Sequence, residues 1–301
     1  MLQSTRDWVW RGWQVRYTFI TSSHQRLDSI PILLIHGFGS SQYQWTNNIK
    51  SLGEIHPVYG LDLLGFGASQ KAATRYNVNF WAEQVHEFWR SLINRPMIVI
   101  GHSLGALVAA TVASQFPHSV AGTVLMTLPA TRQEQVSNAW IQNLLSMVER
   151  SVANPLLIRL IFNIARQRRF IQTALRSAYV DPSYVTDTLV DAFVQPTTDR
   201  GAAQTLCRLT QSATTPAYSR SRETLLSQIY QPTLLLWGEC DRVTPISQGN
   251  VLHEDFPDIT WKTIPNAGHC FYDECAETVN QLVLDWIHHS MMQPDDKVSS
   301  L

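Results

Sequence analysis

The stretch Met97-Ile98-Val99-Ile100-Gly101-His102-Ser103-Leu104-Gly105-Ala106-Leu107-Val108-Ala109-Ala110 decides how this chain is read. Residues 97–100 form a short unbroken apolar run, as in a strand buried on both faces. Residues 104–115 are small and apolar, as in a helix packed close to a neighbour. Between them stands Gly-x-Ser-x-Gly, which alone arises by chance in roughly one chain in ten of this length. The strand–turn–helix setting is what a nucleophile elbow requires, with a serine projected from a tight, strained turn. Side chains in place of Gly101 or Gly105 would clash in such a turn. The competing reading is an ordinary glycine-rich turn between a strand and a helix.

Outward from this point the same rhythm repeats. Residues 8–20 alternate around Gly12 (Trp8, Trp10, Trp13, Val15, Tyr17, Phe19) and predict a hairpin. Residues 30–35 predict a buried strand ending in His36-Gly37-Phe38-Gly39-Ser40, followed by a helix over about 42–52. Residues 57–61 predict a strand, 79–93 a helix, and 120–125 another strand. After a break, strands are expected at 233–237 and 260–264, with helices near 247–253 and 275–288. Strands alternating with helices imply an α/β fold with a largely parallel sheet covered on both faces.

The break itself is informative. Residues 130–228 show helical patterns and no convincing buried strand. They carry 11 arginines against 7 acidic residues, whereas the remainder has 12 basic and 17 acidic groups. This shift marks an inserted module. The expected organisation is a core of residues 1–129 and 229–292, a helical insertion over 130–228 and a flexible tail over 293–301.

Composition excludes several classes. Hydrophobic residues make up 45% and charged residues 16% of the 301, enough for a sizeable core. A net charge of −1 argues against a nucleic-acid partner. Four scattered cysteines without a Cys-x-x-Cys pair argue against a disulfide scaffold or a structural zinc site. No signal-peptide region and no long uncharged apolar run is visible, so the expected compartment is the cytoplasm.

A serine hydroxyl needs a base. The candidate is His269, in the loop after the last expected strand, at the sheet edge where Ser103 also lies. His102 is expected to point away from its neighbour and either to pack or to support the site from behind, and His36 to shape the first strand-to-helix loop. The imidazole needs an acceptor on its far nitrogen. Asp241, after strand 233–237, is preferred because it lies deeper in its loop, with Glu239 as competitor. The loop Thr127-Leu128-Pro129-Ala130 offers no carboxylate. The order Ser103, Asp241, His269 suits this type of elbow. The backbone N–H groups of Phe38 and Leu104 are the expected oxyanion donors. No metal and no organic cofactor is expected.

These residues carry a resemblance. His36-Gly37-Phe38-Gly39, Asp62 to Gly67 with Ser69, Gly101 to Gly105, Gly238 to Pro245 and Gly268-His269 stand in the order found in the α/β-hydrolase superfamily, over residues about 8–290. The resemblance implies a sheet of about eight strands and a helical lid at the inserted segment. It also implies a serine hydrolase, because the epoxide- and halide-processing relatives carry an aspartate where this chain has Ser103. Asp62-Leu63-Leu64-Gly65-Phe66-Gly67-Ala68-Ser69 and residues 268–274 are similar to the plastid and cyanobacterial branch. That branch includes pheophytinase and chlorophyll-dephytylase types, which cleave a pigment's phytyl ester. The expected substrate is therefore a carboxylic ester with a large apolar group. Alternatives on the same machinery are a ligand sensor that keeps the triad, a C–C hydrolase and an acyl transferase.

Residues 155–169 read Pro-Leu-Leu-Ile-Arg-Leu-Ile-Phe-Asn-Ile-Ala-Arg-Gln-Arg-Arg, with apolar residues on more than one helical face. One reading is a lid helix over the pocket with solvated arginines. The other is peripheral contact with an anionic membrane or a long isoprenoid chain. Cys240 and Cys270 adjoin the proposed acid and base. They are read either as two buried thiols or as an oxidisable pair.

Overall fold

The computed structural model describes residues 2–21, 29–131, 134, 155–213 and 215–292. At Arg11 (φ 51°) and Gly12 (φ 83°) the chain takes the two left-handed conformations that a two-residue hairpin turn demands. This turn joins β1 (Leu2–Trp10) to β2 (Trp13–Thr21) with Trp10 opposite Trp13. The six strands that follow are β3 (Ile32–Ile35), β4 (Val58–Leu61), β5 (Met97–His102), β6 (Val120–Met126), β7 (Thr233–Gly238) and β8 (Thr260–Ile264). They form one eight-stranded sheet in the order β1-β2-β4-β3-β5-β6-β7-β8. The β1–β2 and β2–β4 pairings are antiparallel and all others parallel. This is the α/β-hydrolase architecture.

Every residue of β3, β5 and β7 is buried, because helices cover both faces of the parallel region. Successive β5 side chains enter opposite layers. Met97 and Val99 join Trp81, Phe88, Val108 and Trp237, whereas Ile98 and Ile100 join Val124, Leu236, Phe271 and Val283. The edge strand β8 instead alternates exposed and partly buried residues up to Ile264. The helix Leu104–Gln115 buries ten of its twelve residues, which explains why it is small and apolar all round.

Three helices depart from the sequence expectation. The stretch expected as one helix over 42–52 is a 3-10 turn, Gln42–Trp45, and a short helix, Ile49–Gly53. Its polar side chains serve buried contacts: Asn48 Nδ2 donates to the Tyr272 carbonyl at 2.9 Å and to Asn280 Oδ1 at 2.8 Å. The helix expected over 79–93 is α-helical over Val78–Phe88, then widens to π-type spacing over Trp89–Ile93 and stops at left-handed Asn94. The closing helix, Ala276–Met292, is preceded by a separate single turn, Phe271–Glu274.

Between β6 and β7 the described residues are helical, with Pro155–Ala165, Arg168–Ala178, Asp187–Val194, Ala202–Ala213 and Arg222–Leu226 as the α-helices. Both expected boundaries of the inserted module lie in this connection. Most of residues 132–154, the side chains of 155–159 and the expected tail over 293–301 lie outside the described residues. Among the described residues no helix is long and apolar enough to cross a membrane.

Candidate active site

Ser103 stands between β5 and the helix Leu104–Gln115 at φ 54°, ψ −117°, a strained conformation for a residue with a side chain. Its N–H donates to the Met126 carbonyl at 2.9 Å, tying the turn to β6. The flanking glycines are required by close approach. A Cβ at Gly101 would lie 2.1 Å from the Gly105 carbonyl oxygen, and one at Gly105 would lie 2.3 Å from that of Ile35. The turn therefore packs backbone against backbone, and that compression projects Ser103 from the sheet.

His269 lies in the loop after β8, and Asp241 in the loop after β7. His269 Nδ1–H donates to Asp241 Oδ2 at 2.8 Å, with the carboxylate fully buried and the imidazole nearly so. The other Asp241 oxygen accepts the N–H groups of Val243 and Thr244, both at 2.8 Å. These bonds fix the carboxylate so that Oδ2 faces the imidazole. Thr127 Oγ1 also donates to Oδ2, at 3.4 Å. Glu239 is exposed and accepts from Thr263 Oγ1 at 2.8 Å instead. Ser103 and His269 line one cavity of about 350 Å³, together with Phe38, Phe170, Leu175 and Val243.

The His269 loop is held from three sides. The His269 N–H donates to the carbonyl of Ala178, the last residue of an inserted helix, at 2.8 Å. Glu274 accepts the Gly268 N–H on Oε2 at 2.7 Å and those of Val180 and Asp181 on Oε1 at 2.6 and 3.0 Å. His102 Nε2–H donates to the His269 carbonyl at 3.0 Å, and the two rings stand 4.6 Å apart. Burial, with the neighbouring His269, holds His102 well below the usual histidine range, so it is a neutral donor.

The first strand-to-helix loop is similarly braced. His36 Nδ1–H donates to the Gly37 carbonyl at 2.7 Å, and its Nε2 accepts the Leu63 N–H at 3.1 Å. Burial pushes His36 down to about 4, consistent with this neutral tautomer. Gln44 Oε1 accepts the Gly37 N–H at 3.0 Å, next to the Phe38 amide expected as an oxyanion donor. The Leu104 amide opens the helix Leu104–Gln115, where first-turn N–H groups have no intrahelical acceptor. Asp62 stays outside this cavity. Its carboxylate accepts the N–H groups of Gln42 and Ala68 at 2.6 and 2.7 Å and is pushed up to about 6 by burial.

Cys240 and Cys270 are both free thiols. Cys270 is buried, and desolvation raises its thiol to about 12, so it stays protonated. Cys240 is exposed, which corrects the reading of two buried thiols. Sequence reasoning missed Thr127, Gln44, Glu274 and the Ala178 carbonyl. Thr127 sits in the loop set aside for lacking a carboxylate. Gln44 and Glu274 act on main-chain N–H groups, and neither an N–H nor a carbonyl leaves a residue-type signal.

A family model for the alpha/beta hydrolase fold matches residues 30–275. The dihydrolipoyllysine-residue acetyltransferase component of the acetoin cleaving system of Pseudomonas putida is 27% identical over 258 residues, covering 85% of this chain and 63% of its own length. Chloroplastic pheophytinase of Arabidopsis thaliana is 22% identical over 316 residues, covering 92% of this chain and 65% of its own. The chain thus spans just under two thirds of either protein. The crystal structure of a membrane phospholipase A, a bacterial virulence factor, superposes with a TM-score of 0.74 at 26% identity and covers 96% of this chain and 86% of that one.

Proposed function

This chain belongs to the alpha/beta hydrolase family, and we propose on that premise that it is a serine esterase acting on a carboxylic ester with a large apolar group. The observation that carries the reading is the His269–Asp241 pair at 2.8 Å, set on the same cavity as a strained Ser103.

In this reading Ser103 Oγ attacks the ester carbonyl carbon while His269 Nε2 takes the hydroxyl proton. Asp241 keeps Nδ1 protonated and stabilises the imidazolium. The N–H groups of Phe38 and Leu104 bind the oxyanion. Collapse breaks the bond to the alkoxy oxygen, which leaves as the alcohol with the proton from His269. Water, deprotonated by His269, then attacks the acyl-enzyme, and the acid departs as Ser103 regains its proton. The apolar lining of the cavity supports an apolar leaving or acyl group. The pheophytinase relative directs the first substrate tests to phytyl esters of pigments, beside fatty-acyl esters. Acyl transfer would use the same acyl-enzyme with an alcohol or thiol in place of water, and the acetyltransferase relative favours including such acceptors.

The test is labelling by a fluorophosphonate probe and turnover of p-nitrophenyl esters. Wild type is expected to label and turn over, and folded Ser103→Ala to do neither. Full activity in that variant refutes the assignment.

A further inference from the structure

Residues 155–178 contain five arginines and no acidic residue. They fold into the helices Pro155–Ala165 and Arg168–Ala178. Leu160, Ile161 and Ile164 adjoin on one helical face and are 57%, 44% and 49% exposed; Phe170, at the start of the second helix, is 52% exposed. Isolated exposed apolar side chains are ordinary, but four within eleven residues form a patch that calls for an explanation. The same two helices line the Ser103 cavity through Ala165, Phe170, Ile171 and Leu175. Phe38 and Val243, both more than half exposed, line it as well. The exposed apolar surface is thus continuous with the cavity wall.

Among the described residues the charge on the patch's own helices that is left without an ion-pair partner is positive. Arg168 is engaged by Asp187 and Asp191. Arg166 and Arg169 are exposed and make no ion pair among the described residues; the Arg166 guanidinium lies 5.9 Å from the Phe162 ring centre. Arg242, next to Val243, is exposed too. An apolar patch bordered by unpaired guanidiniums matches the layering of a bilayer surface, with acyl chains beneath anionic phosphates. It suits a water-soluble protein partner less well, because the apolar face opens into a cavity and not onto a closed interface.

We propose that residues 160–170 dock this protein on the surface of an anionic phospholipid bilayer, with the mouth of the Ser103 cavity facing the lipid. Leu160, Ile161, Ile164 and Phe170 enter the acyl boundary, and Arg166 and Arg169 meet lipid phosphates. An apolar ester dissolved in the bilayer then reaches the cavity without crossing water. This last step rests on the esterase reading, whereas the docking does not.

The test is co-sedimentation of the full chain with vesicles of phosphatidylcholine alone and of equal parts phosphatidylcholine and phosphatidylglycerol. Pelleting with the anionic vesicles, little with the neutral ones, and release by salt are expected. The double variant Arg166→Gln/Arg169→Gln is expected to lower partitioning by roughly 25-fold, about five-fold for each arginine. Leu160→Asp/Ile164→Asp is expected to abolish it while far-UV circular dichroism and hydrolysis of a soluble p-nitrophenyl ester persist. Ser103→Ala is expected to pellet as wild type. An inactive protein that pellets therefore sinks the esterase reading alone, and an active one that does not pellet sinks the docking alone. Equal pelleting with both vesicles overturns the proposal, as does unchanged pelleting of the aspartate variant. So does a lipid-free dimer in sedimentation velocity that the aspartate variant turns into monomer, because a second copy then covers the patch.

Discussion

The carbonyl of Ala178 accepts the main-chain N–H of His269 at 2.8 Å, so the last residue of a helix inserted between β6 and β7 holds the proposed base in place. Tyr179 Oη–H donates to Asp273 Oδ2 at 2.7 Å, and Glu274 grips both Gly268 and the 180–181 backbone. The inserted segment and the His269 loop are thereby one mechanical unit. A shift of the helix Arg168–Ala178 is transmitted to the His269 loop through the Ala178 carbonyl, which accepts the N–H groups of both His269 and Cys270, and through the Tyr179–Asp273 and Glu274 contacts.

Glu274→Ala leaves three main-chain donors without their acceptor. A loss of about 2–4 kcal/mol in urea unfolding is expected, together with a fall in kcat as the His269 loop loosens. Glu274→Gln retains one acceptor oxygen and is expected to fall between the two. Wild-type stability in Glu274→Ala would show that solvent replaces the clamp.

Asp241→Asn is expected to lower kcat on the order of 10³- to 10⁴-fold, because an amide favours the wrong imidazole tautomer. Glu239→Gln should leave kinetics within about two-fold of wild type, since an exposed side chain contributes little. The reverse ranking in steady-state kinetics would make Glu239 the acid.

His102 holds the His269 carbonyl from a fully buried position. His102→Leu removes that donor and is expected to lower kcat about tenfold, or about 1.4 kcal/mol of barrier, with KM little changed. Unaltered kcat at normal circular dichroism would assign His102 to packing alone.

Burial sets His36 at about 4, against an ordinary 6.5. Its unfolded-state imidazole takes a proton near pH 6.5, whereas the folded one does so only near pH 4. The stability it supplies is complete above pH 6.5 and is lost as pH falls toward 4, by up to about 3 kcal/mol. Asp62, raised to about 6 from 3.8, has the opposite sign: stability falls as pH rises from about 4 through 6. Because the two oppose each other in one window, the clean readout is an NMR titration of the His36 ring, identified by its absence in His36→Gln. The ring is expected to remain neutral at pH 5.5. A midpoint near 6.5 would show that water reaches it.

The sequence by itself determined the alternation of strands and helices, the hairpin around Gly12 and the glycine-flanked turn at Ser103. Each of these is a local property: periodic burial, the left-handed conformations of a tight turn, or backbone contacts that admit no Cβ. It also marked residues 130–228 as different, by the absence of a buried-strand pattern and by a shift in charge. Only the tertiary structure decided that Asp241 and not Glu239 faces His269, because the chain turns after β7, where the Asp241 N–H meets the Gly238 carbonyl at 3.2 Å. Only the tertiary structure showed that the Thr127 hydroxyl reaches the Asp241 carboxylate and that His102, Gln44 and Glu274 hold particular main-chain groups. It also broke the expected helix over 42–52, where Gln44 and Asn48 turn inward to buried donors and acceptors. Hydrophobic periodicity reports which side of an element is dry. It carries no record of which distant carbonyl or N–H a buried polar group will find, and that pairing is settled only when the sheet brings its loops together at one edge.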